Sequence, residues 1–483
     1  MSPPDRPTDV YTSPLVARYA GRRMLELFSE RFRTVLWRRI WISLARAQGE
    51  LGISMDREKL AALERRVSEI DFERIARYES RFRHDVMAHL HAFGDLVPEV
   101  KGALHLGATS MDVSDNADLV ILKDALDLVL AKTGGVLSGL ADFARRHRAR
   151  AVLGRTHLQS AQPTTLGKRA CLWLHDLVTD YSELRLLREG LKFRGVRGTT
   201  GTQDSFLALF DGDAAKVDEL ERRVAAAFGF LECYPVVGQT YPRKVDSRIL
   251  AALAGLAQSA ARFAGDIRIL AMLGEVEEPI EDLQVGSSAM PYKRNPVRCE
   301  RMNSLARHLI GLSTTAAWTA AEQRLERTLD DSAARRMVLP EGFLTADAIL
   351  SLWGNIARGL VVHEGEIARA LARELPRLAT ERILALAAKA GGDRQELHEV
   401  VRRHAREVAE RERRGEGRPG ELLDRLAADP AFAQVAGLVR TLVDPAALVG
   451  LAPAQVDRFL TREIDPLLAS IPPVDPSEWE LQI

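Results

Sequence analysis

Three stretches of the chain repeat mostly apolar residues in steps of three and four, each for more than twenty residues. The first runs Leu119, Leu122, Leu126, Val129, Thr133, Val136, Leu140, Phe143. The second runs Ala170, Leu174, Leu177, Tyr181, Leu184, Leu187, Leu191, and the third Ile249, Leu253, Leu256, Ala260, Phe263, Ile267, Leu270. Spacing near 3.5 residues lays one apolar stripe along a helix, as in bundled helices. At 1.5 Å per residue each helix is over about 30 Å long. Helices of that length hide their stripes only by lying side by side. The chain is therefore predicted to be all-α, with a central bundle of long helices.

Around that frame the sequence predicts further helices at about 297–322 and 332–362. Before it, residues 32–51 read as one helix and 71–93 as one or two. Gly134-Gly135 interrupts the first stripe and predicts a kink. After about residue 365 the chain reads as short helices separated by Gly391-Gly392, by residues 415–420 and by Asp444-Pro445, with 411–420 as a surface loop. Strand signals are confined to short pieces near 151–155 and 206–209, without βαβ alternation. Residues 1–13 and 471–476 are expected to be extended. Three units follow: an N-terminal helical domain over 1–110, the long-helix bundle over 111–364 and a C-terminal helical domain over 365–483. The stripes offer more apolar face than one neighbour covers, which predicts self-association.

The 483 residues contain 67 Lys+Arg and 67 Asp+Glu. Zero net charge supplies no long-range field for nucleic acid or for an anionic membrane, and neither is expected as a partner. The three cysteines, Cys171, Cys233 and Cys299, are odd in number and far apart. They read as reduced thiols of a cytoplasmic protein rather than disulfides or zinc ligands. No apolar run reaches the roughly 18 residues of a membrane span, and the first residues carry no secretory core.

The segment Gly286-Ser287-Ser288-Ala289-Met290-Pro291-Tyr292-Lys293-Arg294-Asn295-Pro296 follows an acidic run over 275–282. Its glycine and two prolines make it a loop. Amides near Gly286 and the serines suit an anion nest, to which Lys293 adds charge. On physical grounds alone, a solvated loop with a serine turn is an equal reading. His84, His89 and His91 do not share one helical face, and no Glu-x-x-His occurs, so a metal centre is not expected. Residues 195–202 are glycine-rich but lack the Gly-Lys-Ser/Thr ending of a phosphate loop. They read as a wall of the site or a plain turn.

The 286–296 segment resembles the signature of the fumarase/aspartase superfamily, Gly-Ser-Ser-x-Met-Pro-x-Lys-x-Asn-Pro, at every fixed position. Residues 106–116 resemble that superfamily's first shared block. Residues 156–163, with Thr156-His157-Leu158-Gln159, resemble its second. The Tyr292-Lys293-Arg294 filling resembles the animal-type adenylosuccinate lyase family in particular. So do Arg83-His84-Asp85 with the residues to His89, and the stretches 195–203, 238–241 and 326–332. One departure is Ala334, where that family tends to carry Asn.

The resemblance implies a fumarase/aspartase-like fold and a cofactor-free, metal-free elimination. Fumarate would leave adenylosuccinate, giving AMP, and would leave the succinylated aminoimidazole carboxamide ribotide, in purine nucleotide biosynthesis. Such chemistry needs a base at the carbon beside a carboxylate, stabilisation of the carbanion, and an acid for the departing nitrogen. By resemblance Ser287 is the base and His157 the acid. Lys293 stabilises charge, His84 binds phosphate or orients the acid, and Glu300 pairs with Lys293 or His157. Substrate anchoring falls to Arg18, Tyr19, Arg83, Asp85, Thr109, Ser110, Thr156, Gln239, Arg301, Arg327, Ser332 and Arg336. These blocks are dispersed, and the family's arrangement is a homotetramer whose sites draw on three subunits. The alternatives are another fumarate-releasing relative, such as an argininosuccinate lyase, a cycloisomerase, or a catalytically silent structural relative.

Overall fold

The computed structural model describes residues 9–281, 284–472 and 479. Helix α1 (Glu30–Glu50) starts where the Ser29 hydroxyl accepts the Phe32 amide at 3.1 Å, and it buries Trp37, Ile40 and Trp41. The 71–93 stretch is two helices, α2 (Phe72–Phe82) and α3 (Asp85–Gly94), broken where Arg83 takes a left-handed φ of 54°. Helix α4 (Ser110–Arg146) has 37 residues, about 55 Å at the usual rise.

At Gly134-Gly135, where the sequence suggested an interruption, α4 runs on through both glycines. Their bare backbone instead seats other side chains. A Cβ on Gly134 would lie 2.5 Å from Ile471, and one on Gly135 2.2 Å from Trp479.

Strands β1 (Ala151–Thr156) and β2 (Gln159–Thr165) form an antiparallel hairpin with Thr156 opposite Gln159. The sequence suggested only the first of these strands, because β2 is polar at its start and contains a proline. The bundle continues with α5 (Leu166–Glu189), α6 (Lys244–Met272), α7 (Val297–Glu322) and α8 (Asp331–Gly359). Residues 206–209, expected to be extended, lie in the short helix Asp204–Leu209, with Phe206 turned into the core. Helix α8 stops short of the expected 362, because Val361–Val362 pairs with Val276–Glu277 as a two-residue ladder. Nor is the region after 365 a set of short helices throughout: α9 (Glu364–Lys389) and α10 (Arg394–Arg413) span 26 and 20 residues. Helix α9 runs through Pro376 and buries a continuous stripe of Ile367, Leu371, Leu375, Ala379 and Ile383.

The stripes do what their spacing demands. All eight positions of the first are buried, as are all seven of the third and the second as far as Leu184. Helices α4 to α8 pack these faces into one core. A second apolar cluster joins α1, α3, the first turns of α4 and residues between Phe193 and Tyr241. A third lies among α9, α10 and the short helices after them. Among the described residues no helix is long and apolar enough to cross a membrane. The three cysteines are unpaired. The expected extended tails fall largely on 1–8 and 473–476, outside the described residues.

Candidate active site

Four blocks far apart in sequence meet in one cleft of about 800 Å³. Arg83, His84 and Asp85 come from the α2–α3 junction, and Thr109 and Ser110 from the start of α4. Gln239 comes from the approach to α6; Arg327, Ser332 and Arg336 come from the start of α8 and the turn before it. Local rules place each block. Thr109 and Asp112 form a reciprocal cap, with the Asp112 carboxylate accepting the Thr109 amide at 2.7 Å. That cap points the N-terminus of a 37-residue helix, with its partial positive charge, at the cleft. The left-handed break at Arg83 turns His84 inward, where its Nε2 lies 3.4 Å from the Ser110 hydroxyl. Asp85 lies 3.6 Å from His84 Nδ1 and accepts from Arg336 at 2.8 Å.

Arg327 is the cleft's most telling group. One terminal nitrogen donates to the Gln239 side-chain oxygen at 2.9 Å, while its Nε is buried without a hydrogen-bond partner among the described residues. A buried guanidinium donor left without an acceptor calls for a ligand or water to complete it. Arg83 likewise makes no ion pair among the described residues. Planar guanidinium groups in that condition suit carboxylate or phosphate.

Beneath the rim lies a buried ion network, of which Asp115, Tyr241 and Asp331 fall inside the motif blocks but carry no role assigned from the sequence. Arg243 reaches Asp115 at 3.0 Å and Asp331 at 2.7 Å. Arg335 reaches Asp246 at 2.7 Å, Asp118 at 2.9 Å and the Tyr241 hydroxyl at 2.6 Å. Burial pushes the Asp115 carboxyl up, but Arg243 and Arg335 more than offset it and hold it below the usual range. Asp118, which lines the cleft, is raised by burial, only partly countered by Arg335. The network ties α4, α6 and α8 together directly under the rim. In the sequence Asp115 and Asp331 lie inside the 106–116 and 326–332 blocks without an assigned role, and Arg243 and Arg335 sit two and three residues beyond such blocks. Arg33 and Trp37 of α1 also line the cleft, and no motif marks them.

The remaining candidates lie elsewhere in the chain. His157 and Leu158 are the two turn residues of the β1–β2 hairpin, both exposed, with φ of 53° and 59°. A two-residue hairpin turn with positive φ at both positions favours Asn-Gly, so His-Leu holds strained backbone, as functional turns do. Thr156 and Leu158 line a second hollow of about 930 Å³ beside α5, α6 and α9.

Ser287, Lys293, Glu300, Arg301, Arg18 and Tyr19 line neither hollow. The Ser287 hydroxyl accepts the Met290 amide at 3.1 Å, and Asn295 bonds the Gly286 carbonyl at 2.9 Å. Gly286 is required there, since a Cβ would lie 2.3 Å from the Lys293 carbonyl oxygen. Glu300 lies 3.8 Å from Arg268, so within one chain it pairs with neither Lys293 nor His157. The acidic run before the loop is structural. Glu278 accepts the Arg298 and Cys299 amides, both at 2.9 Å, and so caps α7. Residues 195–202 do not line the cleft. Arg194, Arg197 and Gly198 instead bind Asp112 from behind and brace the start of α4.

His89 packs edge-on against Trp37, and burial lowers its pKa to about 4. His91 faces Tyr78 and Phe82 instead. No group of three or more potential metal ligands occurs among the described residues.

A long-helix bundle carrying a serine loop, a histidine hairpin and a cleft at the head of its longest helix defines a fumarate lyase of the fumarase/aspartase class. A family profile described as "Lyase" matches residues 24–311, and the solved fumarate lyase from Mesorhizobium sp. BNC1 superposes with a TM-score of 0.80 at 26% identity, covering 94% of this chain and all of that one. The 3-carboxy-cis,cis-muconate lactonizing enzyme of Pseudomonas putida gives 0.81, also at 26% identity, over 94% of this chain and 99% of that one. Within the class the sequence is more specific. A profile described as "Adenylosuccinate lyase C-terminus" matches residues 376–459. The chain is 46% identical to the adenylosuccinate lyases of Saccharomyces cerevisiae and Schistosoma mansoni, covering 95% of its own length and 95% and 96% of theirs. The chain belongs to the adenylosuccinate lyase family.

Proposed function

We propose that this protein eliminates fumarate from adenylosuccinate, giving AMP, and from the succinylated aminoimidazole carboxamide ribotide, as a cytoplasmic enzyme of purine nucleotide biosynthesis. The reading is supported most by the unsatisfied Arg327 guanidinium, held by Gln239 in a cleft where Arg83, His84, Ser110, Ser332 and Arg336 converge. A substrate with one phosphate and two carboxylates supplies the acceptors these groups lack.

In the proposed reaction Ser287, deprotonated, takes a proton from the succinyl carbon next to the carbon that bears nitrogen. The Met290 amide, already aimed at the Ser287 oxygen, favours the charged form. The electron pair left on carbon spreads into the adjoining carboxylate, where Lys293 and loop amides stabilise it. It then forms the double bond of fumarate as the carbon–nitrogen bond breaks, and His157 gives its proton to the departing nitrogen. No electron leaves the reactants, so the scheme needs no redox cofactor.

Because His157 and Ser287 lie outside the cleft, we propose a homotetramer in which each site takes the cleft, the serine loop and the hairpin from three subunits. Arg18, Tyr19, Thr156, Arg301 and Glu300 are assigned to the same composite site.

The test is direct. The purified protein should release AMP and fumarate in equal amounts from adenylosuccinate. Ser287→Ala and His157→Ala should each lower kcat by at least about a hundredfold while the oligomer stays intact. Absence of fumarate from wild-type protein, or near-normal kcat in either variant, would refute the assignment.

A further inference from the structure

Where the N-terminal segment meets the bundle, Lys132 of α4 and Asp347 of α8 form an ion pair in which both side chains are wholly buried, with Nζ 2.5 Å from Oδ1. Lys132 also donates to the Ser351 hydroxyl at 3.0 Å. The second oxygen of Asp347 accepts the backbone amide of Gly21 at 2.6 Å. The approach is close: a Cβ on residue 21 would lie 2.9 Å from that oxygen.

Burying two charges gains little over an apolar pair of the same size, so stability alone gives no reason for this arrangement. What an apolar pair lacks is an acceptor for Gly21. Just before Gly21 the chain makes one π-helical turn, Leu15–Tyr19, closed by the Ala20 amide to the Leu15 carbonyl at 2.9 Å. The ring of Tyr19 lies 5.7 Å beneath the Arg301 guanidinium, near the start of α7 and just beyond the serine loop.

We propose that Asp347, held in place by Lys132, is a positioning residue for substrate binding: by gripping the Gly21 amide it sets Arg18 and Tyr19 against Arg301. The inference rests on the proposal that Arg18, Tyr19 and Arg301 bind substrate. The pair touches no reacting atom, so its effect should fall on binding more than on turnover.

Two double variants of the full-length assembled enzyme separate positioning from mere stability. Lys132→Met with Asp347→Leu replaces the pair by apolar groups and removes the acceptor. Lys132→Met with Asp347→Asn is equally uncharged but keeps an oxygen for Gly21. The first should speed hydrogen exchange at the Gly21 amide and raise KM for adenylosuccinate at least about tenfold, with kcat changed less than about threefold. The second should restore both toward wild type. Faster Gly21 exchange with unchanged KM would overturn the inference, and so would an equal KM in the two variants. Arg18→Ala, measured alongside, isolates the underlying substrate role. A normal KM there would overturn the inference by removing the role it depends on, whatever Gly21 does.

Discussion

Arg243 and Arg327 stand about the same cleft and should fail differently. Arg243 is buried between Asp115 and Asp331. Replacing it with Met leaves Asp331 without its cation and Asp115 with only Arg335, at 3.8 Å, and breaking a buried pair by removing one partner is strongly destabilising, here by about 3–5 kcal/mol. Arg327 pairs with an amide and leaves a donor unsatisfied. Its Met variant should unfold within about 1 kcal/mol of wild type yet show KM for adenylosuccinate raised about tenfold or more. Urea unfolding and steady-state kinetics on the two variants check this, and equal destabilisation would contradict the division into floor and rim. Most site residues named from the sequence lie inside ungapped motifs. The floor was legible only in part: Asp115 and Asp331 lie inside such blocks, but Arg243 joins them across more than 80 residues, and nothing local marks a charge as buried.

At the scale of elements, the most legible feature was the apolar spacing of α4, α5 and α6. One polar intrusion carries a prediction. Asp180 is buried on α5, and desolvation raises its carboxyl to about 6. The unfolded carboxyl titrates near 3.9, so the native protein binds the extra proton between about pH 4 and pH 6. Stability from this group is therefore present at low pH and falls as pH rises through that window. The deficit above it is on the order of 1–3 kcal/mol. Asp180→Asn removes the ionisation, so it should raise the thermal midpoint more at about pH 8 than at about pH 4.5. An equal shift at both would show that Asp180 does not titrate in this range. What spacing did not reveal at this scale was context. Gly134-Gly135 reads as a break until Ile471 and Trp479 are seen filling the gap. Pro376 likewise lies inside α9 without ending it.

Across the whole molecule, one chain gathers the Arg83, Ser110, Gln239, Arg327 and Ser332 blocks into a cleft, and holds the serine loop and the His157 hairpin outside it. Motifs named these groups without giving their distances, since a residue pattern carries no information about which copy supplies each side chain. The central claim is that the serine and the imidazole acting on one carbon–nitrogen bond come from different subunits. Subunit mixing tests it most directly. The proposed tetramers of His157→Ala and of Ser287→Ala, each expected to be inactive alone, are dissociated, mixed in equal amounts and reassembled, with mixed composition confirmed by native mass spectrometry. Random mixing in a symmetric tetramer leaves roughly a quarter of the sites with both groups intact, so fumarate release should recover to about that fraction of wild type. Mixed tetramers that stay as inactive as their parents would contradict the claim.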